Sequence, residues 1–363
     1  GTALMCAAGN GHERVVDLLL RRGAEINLHN GNGWTALVLA AENGRERVVE
    51  LLLQRGVEFD KQNSDGFTAL MAAAQHGHER VVELLQQRGA KINKQKSDGG
   101  TALMYAAIQG QEGVVDLLLQ RSPEINLQTT NGDTALMMAA QEGHERVVEL
   151  LIRHGADVNL QSSDGGTALM IAANNGHERV IDMLLQYGAE INKQNSDGWT
   201  ALRCAASKGH ERVVELLLRH GADINQQNSE GCTALMFAAD QGHERVVDLL
   251  LQRGAQVNLQ NSSGKIALMV AAHYGHERVV ELLLQCGAEI NLQDSNGETA
   301  LMGAACGHER VVELLLLRRG AEINLQNSNG DTALMLAGSR GDERVVELLL
   351  LRRGAEINKQ DSD

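Results

Sequence analysis

The chain has 363 residues, a formal net charge of −14, a single proline and only 2% aromatic residues. A large globular core normally relies on aromatic side chains for buried area, so this composition argues against two or three ordinary globular domains. The negative charge argues against binding to a nucleic-acid backbone, and the sequence has no run of about 18 apolar residues that would predict a membrane span.

The sequence repeats itself with a fixed step of 33 residues. The tripeptide Thr-Ala-Leu, replaced once by Ile-Ala-Leu, begins at residues 2, 35, 68, 101, 134, 167, 200, 233, 266, 299 and 332. A strict period of this length is the signature of a stacked array, in which each unit packs only on its neighbours. We therefore expect residues 1–363 to form one all-α array of about eleven repeats.

One unit, residues 63–93, shows the predicted elements in chain order. A turn comes first, in which Gly66 supplies a positive φ angle. Thr68 is placed to cap the first helix, and Gly77 ends it. A second helix follows and buries its valines and leucines, and Gly89 stops it. The unit is thus predicted to be helix, turn and helix, joined to the next unit by a β-hairpin-like loop.

These residues resemble the ankyrin repeat family, whose repeat has a Gly-x-Thr-Pro-Leu-His start, a Gly-His turn, a Val-Val-x-Leu-Leu-Leu helix and a Gly-Ala-Asp-Val-Asn exit. The resemblance covers nearly the whole chain and implies a solenoid that binds other proteins. Ala and Met replace the family's Pro and His, for example at Ala69 and Met71. We expect the methionines to form a packed core ladder rather than a metal or redox site: Met5, Met71, Met104, Met137, Met170, Met236, Met269, Met302 and Met335.

Two regions depart from the regular repeat. The pair Ser122-Pro123 replaces the usual Gly-Ala pair in repeat four. It predicts a stiffer and differently bent exit from the second helix of that repeat. Repeat ten is one residue short between Met302 and Gly307, and extra leucines occur within residues 314–317 and 348–351. They predict distorted helix ends and a local change in curvature. Neither terminal repeat has the polar outer face that caps an array, which predicts end-to-end self-association or a need for flanking sequence.

The copies within the chain separate constant positions from variable ones. The Glu-Arg pair at the start of the second helix, as at Glu79-Arg80, barely changes and is expected to lie exposed on the back. Three sets of positions vary between repeats: the residue before the capping Thr, the residue after the Met of the first helix, and the pair before the Gly that separates the two helices. In an ankyrin stack these positions line the concave groove, so the variation predicts a groove individualised for a partner. Looser packing of the first helix is the alternative. The candidate partner-binding residues are Trp34, Phe67, Tyr105, Asp133, Glu142, Trp199, Lys208, Asp240, Lys265, Tyr274, Glu298 and Asp331.

Aromatic and acidic residues in this set indicate the chemistry of the partner. Trp34, Phe67 and Tyr105 fall on successive repeats and are expected to form one exposed apolar patch, because Trp and Tyr are enriched in binding hot spots. The acidic members favour a protein or peptide that carries Lys or Arg and apolar anchors. The predicted function is a non-enzymatic scaffold or adaptor. Alternatives are the targeting arm of a larger kinase, ligase or effector, a mechanical array, and an engineered consensus-like array.

Catalytic, metal and cofactor sites are not predicted. The recurring His-Glu-Arg-Val-Val lacks the second histidine that a zinc-protease motif places four residues after the first. We expect the histidines of this turn, such as His78, to bond backbone groups instead. In the ankyrin family the Asn of the exit segment, which matches Asn27 here, can be a substrate of an asparaginyl hydroxylase. A structural Asn that bonds the hairpin backbone is the favoured interpretation.

The cysteines and the first residues indicate the cellular setting. An odd and scattered set without metal-site spacing is typical of a reducing compartment, which predicts an intracellular, cytoplasmic protein. The set is Cys6, Cys204, Cys232, Cys286 and Cys306. The chain begins within a repeat, at Gly1-Thr2, so we expect a fragment of a longer protein whose upstream segment could hold a targeting signal.

Overall fold

The computed structural model describes residues 1–317, 320–351 and 355–360. These residues form 22 helices arranged as consecutive pairs, which confirms the predicted all-α repeat fold. In chain order they are α1 (Ala3–Gly9), α2 (Glu13–Arg21), α3 (Ala36–Glu42), α4 (Glu46–Gln54), α5 (Ala69–Gln75), α6 (Glu79–Gln87), α7 (Ala102–Ile108), α8 (Glu112–Leu119), α9 (Ala135–Glu142), α10 (Glu145–Arg153), α11 (Ala168–Asn175), α12 (Glu178–Gln186), α13 (Ala201–Lys208), α14 (Glu211–Arg219), α15 (Ala234–Asp240), α16 (Glu244–Gln252), α17 (Ala267–His273), α18 (Glu277–Gln285), α19 (Ala300–Ala304), α20 (Glu309–Leu317), α21 (Ala333–Arg340) and α22 (Glu343–Leu350).

The chain divides into two compact units, Gly1–Glu190 and Ile191–Asp363. Unit 1 contains α1 to α12, and unit 2 contains α13 to α22. Within each unit, the first helix of a repeat packs against the first helix of the next repeat and against its own second helix. The second helices of neighbouring repeats also contact each other. A single uninterrupted array over residues 1–363 remains a prediction.

A threonine caps nearly every first helix, as the sequence predicts. The Thr68 side-chain oxygen accepts a hydrogen bond from the backbone N of Met71 at 3.2 Å, which satisfies one of the amides that a helix N-terminus leaves unpaired. Repeat nine has Ile266 at this position, and no side chain caps α17. Ile266 is fully buried instead, so apolar packing replaces the capping bond there.

The core of each unit is a seam of small and branched apolar side chains. Alanines of the first helices, such as Ala73 and Ala74, have no exposed surface, which lets neighbouring helices approach closely. The predicted methionine positions are at most 6% exposed from Met5 to Met302, whereas Met335 is half-buried. The methionine core ladder is therefore present except at its last member.

The loops that precede the first helices stack on one another through their backbones. The Asn63 side-chain oxygen accepts hydrogen bonds from the backbone N of Asp65 at 3.0 Å and of Phe67 at 2.7 Å. The backbone N of Ser97 then donates to the Asp65 carbonyl of the preceding loop at 2.8 Å. A Cβ on Gly99, whose φ is 85°, would lie only 2.7 Å from a backbone atom of the next loop. Glycine is required there both by conformation and by close approach.

A ladder of glutamines joins the same loops and was not identified from the sequence, although it repeats with the period of the chain. The Gln62 side-chain nitrogen donates to the Gly66 carbonyl at 2.7 Å and to the Gln95 carbonyl of the next repeat at 3.1 Å. The same pair of bonds recurs at Gln95, Gln128, Gln194, Gln227, Gln293 and Gln326. Each rung connects one repeat to the next.

The irregular repeats are accommodated with small local changes. Ser122 adopts a φ of 51°, so it supplies the left-handed conformation that glycine gives to the equivalent turns. The helix before it, α8, has 8 residues where α6 has 9. In repeat ten, α19 is shortened to 5 residues. The extra leucines leave Leu317 70% and Leu351 77% exposed, while residues 318–319 and 352–354, where the predicted distortion falls, lie outside the described residues.

Candidate protein-binding surface

The predicted binding positions belong to a loop–helix surface, which we define as the loop residue before each cap, the residue after the methionine position and the end of each first helix. Glu142, Lys208 and Tyr274 are exposed, and the other predicted residues are half-buried. Each of them therefore presents at least part of its side chain to solvent. Within the described ranges, no helix has the length and apolar character needed to cross a membrane.

Three aromatic rings meet in unit 1. The Trp34 and Phe67 ring centroids are 5.9 Å apart, and the Phe67 and Tyr105 centroids are 5.3 Å apart in an edge-on arrangement. We call these three residues the aromatic cluster. The rings are half-buried, because the loop stacking brings side chains of successive repeats into contact. The result is one continuous apolar area with restrained rings.

Charged groups border the aromatic cluster. Lys96 Nζ donates to Asp98 Oδ2 at 2.8 Å, and this bond raises the pKa of Lys96. Burial raises the pKa of Tyr105, and the charge of Asp98 raises it further. The Tyr105 hydroxyl therefore stays protonated at neutral pH, and it can donate a hydrogen bond to a ligand that covers the rings.

Acidic residues of unit 1 lie farther along the surface. Burial raises the pKa of Asp133, and the negative charge of Asp164 adds to the effect. Asp133 is therefore a carboxylate whose charge its surroundings disfavour, and a basic partner would stabilise it. At the end of α9, Glu142 accepts a hydrogen bond from the Gln141 side chain at 2.9 Å.

Unit 2 has its own aromatic pair. The Trp199 and Phe237 ring centroids are 4.5 Å apart. Phe237 was missing from the predicted binding residues, although it follows a methionine as Tyr105 does and that signal was available. Lys208 is exposed at the end of α13, and Asp331 is half-buried in the last repeat.

A cavity of about 200 Å³ opens between the loops and first helices of repeats eight to ten. We call it the acidic cavity. It brings together four predicted residues, namely Asp240, Lys265, Tyr274 and Glu298. His273 and Asp294 also line it. Asp294 was not predicted, because it occupies a turn position that carries Asn, Thr, Ser or Lys in most loops, and Asp again at Asp361, so it resembles a simple turn residue.

A buried cation occupies the methionine position of repeat seven. Arg203 is 1% exposed, donates to the Gly198 carbonyl, and donates to the Gln226 carbonyl at 2.9 Å. Its Nε atom has no hydrogen-bond partner, and neither has the Gln226 side-chain oxygen. Burial lowers the pKa of Arg203. The neighbouring groups that oppose this shift are the thiols of Cys204 and Cys232 rather than carboxylates. Arg203 was not among the predicted binding residues.

The constant back of the repeats has a structural explanation. Exposed Arg80 forms an ion pair with Glu83 at 2.7 Å, and Arg179 pairs with Glu145 of the preceding repeat at 3.0 Å. Equivalent pairs within one helix are Arg146–Glu149, Arg278–Glu281, Arg310–Glu313 and Arg344–Glu347. Exposed pairs contribute at most about 1 kcal/mol each, yet their recurrence accounts for part of the constancy at these positions.

The histidines of the inter-helix turn bond backbone groups, as predicted, and the carbonyl belongs to the preceding repeat. His78 Nε2 lies 2.9 Å from the Glu42 carbonyl oxygen, and the equivalent contacts involve His144, His177, His243, His276 and His308. Arg45 and Gln111 make the same connection in their repeats. In the described part of the chain, no group of three or more His, Cys, Asp or Glu side chains is arranged to hold a metal ion.

The exit asparagines also connect repeats. The Asn27 side-chain oxygen accepts a hydrogen bond from the backbone N of Glu58 at 2.9 Å. The same bond is made by Asn93, Asn126, Asn159, Asn192, Asn225, Asn258, Asn291 and Asn324. Asp60 replaces Asn in one repeat, and its Oδ1 accepts a hydrogen bond from the backbone N of Lys91 at 3.1 Å. This geometry agrees with a structural role for these asparagines.

Comparison with known proteins gives the family. The family described as "Ankyrin repeats (3 copies)" matches residues 1–63, 55–129, 103–195, 189–261 and 268–361. No curated protein matches the chain. Ankyrin repeats are in general protein-interaction modules. Since the family matches nearly every residue and the helix pairs repeat with the loops and caps described above, the chain belongs to the ankyrin-repeat family.

Proposed function

We propose that this chain is a non-enzymatic scaffold or adaptor module that binds a partner protein or peptide on its loop–helix surface. The observation that carries the proposal is the contrast between the two sides of the repeats. Variable aromatic and acidic residues lie accessible on the loop–helix surface, whereas the exposed back repeats the same ion pairs. A surface that differs from repeat to repeat is suited to one particular ligand.

The aromatic cluster supplies the apolar part of this surface. Large aromatic side chains dominate the binding energy of many interfaces. Trp34, Phe67 and Tyr105 already contact one another, so little side-chain freedom is lost when a ligand covers them. An apolar side chain of the partner would pack on these rings, and the protonated Tyr105 hydroxyl would donate a hydrogen bond beside it.

Charge supplies a second determinant. The chain has a net charge of −14, and the candidate surface includes Asp133, Glu142, Asp240, Glu298 and Asp331. Complementary charge mainly increases the association rate and excludes wrong partners. We therefore propose a partner segment that contains Lys or Arg together with one or two apolar anchors, and we expect its binding to weaken as salt is raised.

The alternative proposal is a targeting arm of a larger kinase, ligase or effector. It keeps the same binding surface and places the catalytic domain outside these residues, so the sequence of the full-length gene product distinguishes the two. We also propose an intracellular, cytoplasmic setting for this module. The five cysteines, all of them free thiols, support that setting.

Selection of random peptides on the immobilised chain, followed by affinity measurements on variants, tests the proposal. The variant Trp34→Ala, Phe67→Ala, Tyr105→Ala should bind the selected peptides at least about tenfold more weakly, since single hot-spot truncations cost about 2 kcal/mol or more. A matched control on the back, Arg80→Ala with Arg146→Ala, should bind normally. Circular dichroism checks that both variants are folded, and equal loss or equal retention in the two variants would contradict the proposed surface.

A further inference from the structure

We propose that the acidic cavity of unit 2 is a subsite for one basic side chain, a guanidinium or an ammonium group, of the bound partner. The proposal rests on the proposed binding function and deepens it, because it assigns the charged anchor of the ligand to a defined place. Its central observation is an acceptor atom that the fold itself does not use.

That acceptor is one oxygen of Asp294. Asp294 is 7% exposed, and its Oδ1 accepts hydrogen bonds from the backbone N of Asn296 and of Glu298, both at 2.9 Å. Its Oδ2 has no hydrogen-bond partner. A buried carboxylate oxygen without a donor is costly, so Oδ2 is an acceptor that a ligand donor would satisfy.

The loop does not need a carboxylate here. In the preceding repeat, Asn261 occupies the equivalent position, and its single side-chain oxygen accepts from the backbone N of Ser263 at 3.0 Å and of Lys265 at 2.9 Å. An amide therefore supports the turn as well as Oδ1 of Asp294 does. The second oxygen of Asp294 makes no hydrogen bond within the turn, so it is available to a ligand.

Lys265 compensates this charge only in part. Its Nζ lies 3.8 Å from Asp294 Oδ2, which is longer than a hydrogen bond. The Lys265 side chain is 41% exposed, so its ammonium can move into solvent when another cation enters. Asp240, Asp294 and Glu298 line the cavity with Lys265, and three carboxylates against one ammonium leave room for an additional positive charge.

The walls of the cavity suit a side chain rather than a metal ion. Its volume is about 200 Å³, several times the ~30 Å³ of a water molecule. Met269 and Val270 form an apolar wall along which the aliphatic stem of Lys or Arg would pack. The exposed Tyr274 ring at the rim can stack on a guanidinium. A divalent metal would need several ligands together, and within the described ranges no such cluster occurs.

Titration with agmatine, a small guanidinium compound, tests the cavity without any partner peptide. In protein labelled with ¹³C at the methionine methyl groups, the Met269 signal should shift saturably, whereas that of Met71 in unit 1 should not. Asp294→Asn should weaken agmatine binding about tenfold, which corresponds to 1.4 kcal/mol, and should fold normally because Asn fills this turn position elsewhere in the chain. Lys265→Gln should strengthen binding several-fold, because it removes the competing cation. Asp248→Asn is the matched control, because this carboxylate lies on the second helix α16, where it accepts a hydrogen bond from Gln252, and does not line the cavity.

The outcomes separate this proposal from the proposed function. Absence of a Met269 shift, unchanged binding by Asp294→Asn, or weaker binding by Lys265→Gln would each overturn the cavity subsite. If selected peptides depend on the aromatic cluster but not on Asp294, the binding surface stands and the subsite is wrong. If agmatine binds as expected but selected peptides ignore the aromatic cluster, the subsite stands and the aromatic part of the proposed function fails.

Discussion

Arg203 gives the sharpest test of the energetics of this fold. It places a guanidinium, 1% exposed, at a position where neighbouring repeats carry buried methionines such as Met170 and Met236. Replacing a buried ion pair by apolar side chains of similar volume is often neutral or stabilises a protein by about 1–4 kcal/mol, and the groups that act on the charge of Arg203 are thiols rather than carboxylates. The variant Arg203→Met introduces the residue that most other repeats have at this position, so overpacking is not expected.

The hydrogen bonds that Arg203→Met removes reduce this gain only modestly. The Gly198 carbonyl keeps a donor, because Gln194 Nε2 also bonds it at 2.9 Å. The Gln226 carbonyl loses the Arg203 donor, a cost of about 1 kcal/mol. Removing the buried and unpaired Nε atom stabilises the folded protein by a comparable amount and so offsets that cost. We therefore expect the free energy of unfolding to rise by about 1–3 kcal/mol.

Urea denaturation followed by tryptophan fluorescence measures this change close to the site, since Trp199 lies in the same repeat. Trp34→Phe provides a background in which Trp199 is the only tryptophan. The midpoint should increase at an unchanged slope. The reverse change, Met236→Arg, buries an uncompensated charge in the next repeat and should cost about 3–5 kcal/mol. A lower midpoint for Arg203→Met, or a tolerated Met236→Arg, would refute this reasoning.

Three further predictions concern thiols, repeat coupling and association. Burial raises the pKa of Cys204 from 9.0 to about 11, so at pH 8 it should alkylate roughly 100-fold more slowly than a free thiol with a pKa near 9. Mass spectrometry with a small thiol added as the reference measures the two rates, and equal rates would contradict the prediction. His78→Ala should lower the free energy of unfolding by about 1 kcal/mol. His78→Gln should lower it less, because Gln111 makes the equivalent bond in its own repeat. Indistinguishable denaturation midpoints for the two variants would disprove the inter-repeat role of His78. Sedimentation velocity should detect concentration-dependent association of the chain. The double variant Leu317→Gln with Leu351→Gln should reduce it. A monomer at every concentration would rule out self-association through these exposed leucines.

Local features of the fold were predictable because they depend on residues close in sequence. The period of 33 residues, the cap that Thr68 provides to an amide three residues away, and the glycine turns all follow from short-range geometry. The methionine ladder was also predicted, since a buried position recurs with the period. The glutamine ladder is equally periodic, so the recurrence of Gln with the 33-residue step is a signal that could have predicted it.

Contacts between repeats were decided by the tertiary structure. The sequence places Lys265 and Asp294 in different repeats, and only the stacking of loops brings their charged atoms to 3.8 Å. The same stacking brings Trp199 into contact with Phe237 and buries Arg203. Which residues vary can be seen in the sequence alone. Which of them meet depends on the spacing and rotation between neighbouring helix pairs, and these are set by how alanine-rich faces pack, a property that no single repeat contains.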